Sequence, residues 1–126
     1  MARVLIVDDD RDMVEASRMV LQREGHSVSV AYSAGEGMQA VKESKPDILL
    51  LDVMMDQPDD GIALAQDLRR DGFAAPILML SSISKVAGQK YGKDAELLPV
   101  DDFQEKPIDP SVLVAKVAEL LKGKES

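Results

Sequence analysis

Near the N-terminus an unbroken apolar run ends in three acids: Val4-Leu5-Ile6-Val7-Asp8-Asp9-Asp10. Consecutive apolar residues, most of them β-branched, are typical of a strand that is buried on both faces, as in a parallel sheet. Parallel strands need crossover connections, which are usually helices. This stretch therefore predicts an α/β fold in which helices alternate with further buried strands.

The same alternation continues along the chain of 126 residues. Apolar or alternating runs at 27–31, 48–51 and 77–80 predict three further strands. A fifth strand is predicted at 102–105, and the segment 97–100 is the competing assignment for it. Helical spacing and capping residues predict five helices: between Asp10 and Gly25, from Ser33 to about Ser44, around 62–68, over 84–95, and from Pro110 onward.

Helix ends are marked by residues that satisfy free backbone groups. Ser33 with Glu36 three residues later forms a capping box, and Asp109 is the predicted N-cap of the last helix, directly before Pro110. No linker, repeat or low-complexity tract interrupts the pattern, so residues 1–126 are predicted to form a single domain. Five strands in so short a chain favour a doubly wound, flavodoxin-like parallel sheet in the order 2-1-3-4-5, with helices on both faces.

Composition excludes several kinds of function. The chain has 15 basic and 23 acidic residues, a net charge of −8, which argues against direct nucleic acid binding. It has no cysteine, which excludes disulfides, thiolate zinc sites and cysteine nucleophiles. No apolar run approaches the ~20 residues that a bilayer requires, so membrane insertion is not expected. The N-terminus has no signal-peptide pattern, and we expect a cytoplasmic protein.

Polar residues follow the predicted strands at the end of the sheet where ligands bind in open α/β folds. They are Asp8, Asp9 and Asp10 after the first strand, Asp52 after the third, Ser81 and Ser82 after the fourth, and Lys106 after the fifth. Each of them alone is interpreted most simply as a cap, a turn residue or a solvated charge. The predicted topology, however, places strands 1, 3 and 4 side by side, so we expect these groups to converge.

Carboxylates held close together repel one another, so either one stays protonated or a cation binds. Oxygen ligands without histidine or cysteine favour a hard ion, and Mg²⁺ is the usual partner of carboxylates and phosphate. Two carboxylates with Mg²⁺, a lysine and a hydroxyl suit a phosphoryl group. Asp52 is the best candidate for a nucleophile that forms an aspartyl phosphate.

The ordered set Asp8-Asp9, Asp52, Ser81 and Lys106-Pro107 resembles the receiver domain of bacterial two-component response regulators, of the stand-alone kind found in chemotaxis. The resemblance extends from Val4 to about Leu121. It implies that Asp52 accepts a phosphoryl group from a sensor histidine kinase or a histidine phosphotransfer protein.

The resemblance also implies roles for the other site residues. Asp9 would ligate Mg²⁺ directly, Asp8 mostly through water, and the backbone carbonyl of Met54 would be a third protein ligand. Lys106 would pair with the phosphoryl oxygens, and the family's bond before Pro107 is cis. Ser81 and Phe103 take the positions of the switch hydroxyl and the switch aromatic.

By the same resemblance, the chain is a phosphoacceptor switch and not an enzyme, with at most self-catalysed phosphorylation and dephosphorylation. Its output would be binding of an unknown downstream protein at the face formed by the fourth helix, the fifth strand and the fifth helix. A homodimer through this face is also compatible with the sequence.

The chain departs from the family pattern in three places. Asp56 stands where the family usually has proline, and Gly61 comes one residue late, so that Pro58 is a candidate for making the turn. Pro99-Val100 replaces the usual Gly-Ala, in a segment longer than usual. Phe103 has no hydroxyl and so cannot donate a hydrogen bond to a partner.

Two other functions remain open from the sequence. A receiver-like protein-binding module that does not use phosphorylation would fit the altered loops. A phosphatase of the haloacid dehalogenase type would use Asp8 and Asp10, but Arg11-Asp12 replaces the Gly-Thr that follows those acids. The single histidine, His26, is expected to meet the last carbonyls of the first helix, and Arg69-Arg70 is expected to be a solvated helix face.

Overall fold

The structure, a computed structural model, describes residues 2–52, 60–81, 100–105 and 109–125. Its elements in chain order are β1 (Arg3–Val7), α1 (Arg11–Arg23), β2 (Ser27–Ala31), α2 (Ala34–Ser44), β3 (Ile48–Asp52), α3 (Asp60–Arg70), β4 (Ile77–Ser81), β5 (Asp102–Glu105) and α4 (Pro110–Glu125). The predicted helix over 84–95 lies outside the described residues, as do residues 97–99 of the competing strand. The fifth strand is at 102–105, as predicted.

The strands form one parallel sheet in the order β2-β1-β3-β4-β5, which confirms the predicted fold class. We give names to the two ends of the sheet. The strands begin at its amino end and finish at its carboxyl end. Among the described residues, no helix is both long enough and apolar enough to cross a membrane.

Two hydrophobic clusters cover the two faces of the sheet because alternate strand residues point in opposite directions. Leu5, Val7, Leu49 and Leu51 pack with α2 and α3, whereas their neighbours in β1 and β3 pack with α1 and α4. Each fully buried aliphatic side chain stabilises the fold by about 1.5–3 kcal/mol. The central strands are therefore fixed by apolar burial on both sides.

The predicted caps are present. The side chains of Asp10 and Ser33 accept hydrogen bonds from the backbone N–H groups of Met13 (3.1 Å) and Glu36 (3.2 Å). The Glu36 carboxylate accepts a hydrogen bond from the N–H of Tyr32, one residue before the N-cap Ser33. In the predicted capping box this bond would come from the N–H of Ser33 itself, so it is shifted by one residue. Hydrogen bonds from the Ser111 hydroxyl and N–H lower the pKa of Asp109, which caps α4.

One prediction about a basic side chain is wrong, and another holds for only one of its two residues. The Nδ1 atom of His26 accepts a hydrogen bond from the N–H of Ala2 (3.1 Å) and does not meet the last carbonyls of α1. Those carbonyls are satisfied by backbone N–H groups, helped by the positive φ of 91° at Gly25. Arg70 is solvated as predicted, but Arg69 is half-buried and bonds to two backbone carbonyls and a carboxylate.

Candidate functional site

Strand register brings two acids from distant parts of the sequence together at the carboxyl end of the sheet. β1 and β3 are neighbours, and Val7 pairs with Leu51. Asp8, the residue after β1, and Asp52, the last residue of β3, therefore lie side by side. The N–H of Asp8 also bonds to the carbonyl of Ala31 (3.0 Å), so β2 helps to fix its position.

Asp8, Asp9 and Asp52 form an acidic cluster in which one carboxylate oxygen from each residue lies within 4.8 Å of the others. Asp8 is only 1% exposed and Asp52 only 5%, whereas Asp9 is exposed. Charged carboxylates at such distances repel, and burial strengthens the repulsion because water screens it less. The cluster is therefore a place that attracts a cation.

The start of α1 supports this cluster without taking part in it. The Oδ1 atom of Asp8 accepts a hydrogen bond from the N–H of Asp10 (2.9 Å), which holds that carboxylate in one orientation. Asp10 itself caps α1, so its side chain is directed to the helix and not to the cluster. The sequence presented three successive acids, and the structure gives the third of them a structural role.

A close helix contact lies directly behind the site and was missed by sequence reasoning. A Cβ atom on Gly37 of α2 would lie 3.0 Å from both Cγ atoms of Val7 and 3.1 Å from a Cδ atom of Leu64. Only glycine lets α2 approach β1 this closely at the residue before Asp8. Two glycines in the first turns of a helix, Gly35 and Gly37, are the signal that could have indicated it.

An exposed cation–π contact is a second feature that the sequence did not indicate. The guanidinium of Arg11, at the first position of α1, lies 4.0 Å from the centroid of the Tyr32 ring. Tyr32 directly follows β2, as Asp8 follows β1. The pair therefore links the start of α1 to the end of the outer strand β2, beside the acidic cluster.

The remaining predicted site residues are only partly within the described residues. Ser81 is the last residue of β4, and only its backbone is described. Phe103 lies in β5 opposite Met79 and is half-buried. It packs against the hydrophobic cluster on the α2–α3 face of the sheet. The other predicted site and loop residues lie outside the described part: Met54, Asp56, Pro58, Ser82, Pro99, Lys106 and Pro107.

The donor set of the acidic cluster fits a hard divalent cation. Mg²⁺ binds oxygen ligands at about 2.1 Å in an octahedron, so opposite ligands are about 4 Å apart. The three carboxylates, within 4.8 Å of one another, can reach such an ion directly or through one water, and exposed Asp9 is free to rotate toward it. Asp8, Asp9 and Asp52 therefore form a pocket that can hold Mg²⁺.

A five-stranded 2-1-3-4-5 sheet with an acidic cluster at its carboxyl end is the arrangement expected for the receiver class. The chain belongs to that class: the family model for the response regulator receiver domain matches residues 4–118. Receiver domains of two-component systems are in general phosphoacceptor switches.

Relatives and solved structures agree with the family. The chain is 37% identical over 120 residues to the response regulator MprA of Mycobacterium avium, covering 95% of this chain and 51% of that protein. It thus spans about half the length of the curated relatives it matches. The receiver domain of Francisella response regulator 1452 is similar with a TM-score of 0.86 at 25% identity, over 98% of this chain and 99% of that one. A CheY-like receiver domain protein from Methanospirillum hungatei gives 0.87 at 25% identity, over 99% and 97%.

Proposed function

We propose that this chain is a single receiver domain over residues 1–126 that accepts a phosphoryl group on Asp52 from a histidine kinase or a histidine phosphotransfer protein. The observation that carries the proposal is the convergence of Asp8, Asp9 and Asp52 within 4.8 Å at the carboxyl end of the sheet. Of the three, Asp52 is the one on the central strand β3, flanked by β1 and β4. A nucleophile at this position has neighbours on both sides to hold the transferred group.

The transfer is a displacement at phosphorus. One carboxylate oxygen of Asp52 attacks the phosphorus of a phosphohistidine, a P–O bond forms, and the P–N bond to the imidazole breaks. The imidazole nitrogen leaves with the electron pair and takes up a proton. The charge on the phosphoryl oxygens needs cationic neighbours throughout, because the site already contains three carboxylates.

Asp8, Asp9, Asp52 and the backbone carbonyl of Met54 would hold Mg²⁺, which offsets the negative charge of the phosphoryl oxygens. Asp8, buried and oriented by its bond to the N–H of Asp10, is suited to accept from a metal-bound water. Exposed Asp9 is suited to bind the ion directly. Lys106 would neutralise another phosphoryl oxygen from the β5 side.

The switch would run through Ser81 and Phe103. Ser81 ends β4, the strand next to Asp52, and its hydroxyl would bond a phosphoryl oxygen. Phe103 on β5 is half-buried, so its ring has room to change rotamer. The phosphorylated form would select one arrangement of the face formed by residues 84–95, β5 and α4.

This face would bind the downstream protein, or a second copy of the chain in a homodimer. The net charge of −8 argues against direct nucleic acid binding by this domain. We place the protein in the cytoplasm, where histidine kinases present their phosphohistidine, with Mg²⁺ as the only cofactor and at most self-catalysed phosphoryl transfer.

The proposal is tested by intact mass after incubation with acetyl phosphate, with and without Mg²⁺. Wild type should gain the mass of one phosphoryl group only when Mg²⁺ is present, and Asp52→Asn should gain none. Asp71→Asn, which changes the same charge at an exposed position, is the matched control and should behave as wild type.

Modification of Asp52→Asn at the wild-type rate would contradict the proposed acceptor. A wild-type protein that is never modified, yet binds its partner equally well with Asp52 or Asn at this position, would favour the phosphorylation-independent module instead.

A further inference from the structure

Arg69, in the last turn of α3, makes an unusual set of contacts for a helix-terminal arginine. Its Nη1 atom donates to the carbonyls of Phe73 and Ala75, both at 2.8 Å, and its Nη2 atom donates to Oδ2 of Asp101 at 2.9 Å. The neighbouring Arg70 makes one exposed ion pair with Asp67. The Arg69 side chain is 24% exposed and the Arg70 side chain 74%, so of the two only Arg69 packs against the rest of the protein.

Asp101 connects this arginine to the first residue of β4. Its N–H donates to the carbonyl of Ile77 (2.9 Å), and its Oδ2 accepts from the N–H of Ile77 (2.8 Å). The same carboxylate oxygen thus holds Arg69 and Ile77 at once. The β4–β5 ladder begins with the next pair, Leu78 with Asp102. The contact therefore closes the amino end of that ladder.

β5 depends on such a contact more than the other strands do. It is a four-residue strand at the side of the sheet, and Phe103 is its only apolar residue. A slip of one residue would turn Phe103 to the opposite face, and little apolar burial opposes the slip. On the other face, Asp102 pairs with Lys116 of α4 at 2.7 Å. Two successive acids thus fix β5 from both sides of the sheet.

We propose that Arg69 is a positioning residue for the phosphorylation reaction: through Asp101 it fixes the register of β5, and so the place of Phe103 and the point at which the chain leaves β5, one residue before Lys106. Arg69 touches no reacting atom, since it lies at the amino end of the sheet and Asp52 lies at the carboxyl end. The inference rests on the proposed function, because it assigns Lys106 and Phe103 their parts in that reaction.

The test compares Arg69→Gln with Arg70→Gln, adjacent arginines of which only the first bonds to Asp101. Two quantities are measured for each folded protein: the Mg²⁺ dissociation constant, and the maximal rate of Asp52 phosphorylation by acetyl phosphate at saturating Mg²⁺. Arg69→Gln should lower the maximal rate about ten-fold, because small misplacements of charged groups slow such reactions strongly. Its Mg²⁺ affinity should be unchanged, because the acidic cluster lies on β1 and β3. Arg70→Gln should match wild type in both.

Two further variants keep the test decisive. Arg69→Lys keeps the charge beside Asp101 but lacks the planar guanidinium that spans both carbonyls and the carboxylate, so it should retain part of the rate that Arg69→Gln loses. Asp101→Asn is the second variant, used if Arg69→Gln does not fold. It keeps an acceptor for the N–H of Ile77 but weakens the contact with Arg69, so it should lower the rate about three-fold. Amide hydrogen exchange should show lower protection in β5 for each variant that slows the reaction.

The inference is overturned if folded Arg69→Gln or Asp101→Asn reaches the wild-type maximal rate. It is also overturned if Mg²⁺ affinity falls together with the rate, since that would mean general loosening of the fold. Failure of the proposed function looks different: wild type itself would not be phosphorylated on Asp52.

Discussion

The two ends of the sheet use the same residue type in opposite ways. At the carboxyl end, Asp8 and Asp52 are buried together with Asp9 in a cluster of like charges. At the amino end, Asp47 and Asp101 each stand directly before a strand, and each accepts a hydrogen bond from the first N–H of the neighbouring strand. The first arrangement concentrates charge, whereas the second disperses it into backbone hydrogen bonds.

The two contacts at the amino end follow one pattern. Asp47 donates its N–H to the carbonyl of Arg3 and accepts from the N–H of Arg3, both at 2.8 Å. Asp101 and Ile77 repeat this exchange at β4 and β5. Both acids close a ladder at its amino end, where the first backbone N–H of the neighbouring strand would otherwise lack this acceptor. The difference between the ends teaches that hydrogen bonds stabilise the fold at the amino end, whereas at the carboxyl end clustered charges lower stability in favour of binding.

The largest effect on stability is expected at the amino end, from Asp101→Ala. The substitution leaves the N–H of Ile77 and the guanidinium of Arg69 without their shared acceptor. It should lower the free energy of unfolding by about 2 kcal/mol, measured by urea denaturation. Asp71→Ala, an exposed acid beyond α3, should change it by less than about 0.5 kcal/mol. Equal effects of the two substitutions would remove the special role of the amino end.

The next effect belongs to the carboxyl end and comes from Mg²⁺. An ion that binds only the folded chain at ten times its dissociation constant stabilises it by about 1.4 kcal/mol. Thermal unfolding of wild type should shift upward accordingly, and unfolding of Asp9→Asn at the same Mg²⁺ concentration should shift much less. Ca²⁺-free buffer with Na⁺ at matched ionic strength is the control for screening. A shift that survives in Asp9→Asn would place the ion elsewhere.

A smaller effect of opposite sign is expected from Asp8→Asn without divalent ions. The amide oxygen can still accept from the N–H of Asp10, while one of the clustered charges is lost. Relief of repulsion should raise the free energy of unfolding by about 1 kcal/mol. Asp47→Asn, the same change at the amino end, should not stabilise the protein. If both variants are stabilised alike, the two ends do not differ in the way described.

The smallest effect is a pH dependence at the amino end, through His26. Burial lowers the pKa of His26 below its ordinary value of 6.5, and its Nδ1 must stay unprotonated to accept from the N–H of Ala2. The unfolded chain therefore takes up this proton first as the pH falls. The contribution of His26 is fully present above about pH 6.5 and is lost below it. His26→Gln should remove this part of the pH dependence of unfolding, measured between pH 5 and 8. An unchanged pH profile would contradict the assignment.

Sequence patterns predicted most of the fold and the core of the site because both depend on local features. Apolar runs such as 48–51 can satisfy their side chains only inside a sheet, and acids directly after two adjacent strands must meet at one end of it. β5 was predicted at its observed place, 102–105, but with 97–100 as a competing segment, since a strand with one apolar residue carries little periodic signal. The place of β5 depends on Arg69, Asp101 and Lys116. Arg69 and Lys116 are far from β5 in the sequence, and Asp101 looks in the sequence like any solvated acid.

By itself, the sequence determined the α/β class, the strand order and which acids lie at the carboxyl end, because burial and periodicity are properties of short segments. Only the tertiary structure decided which charged residues serve stability and which form the site. Asp10 and Asp52 are both acids at the carboxyl end of a strand, and Arg69 and Arg70 are neighbours on one helix. Within each pair the two residues have different roles. The physical reason is that a charge acts through its distance to other charges and to backbone groups, and those distances exist only once the chain has folded.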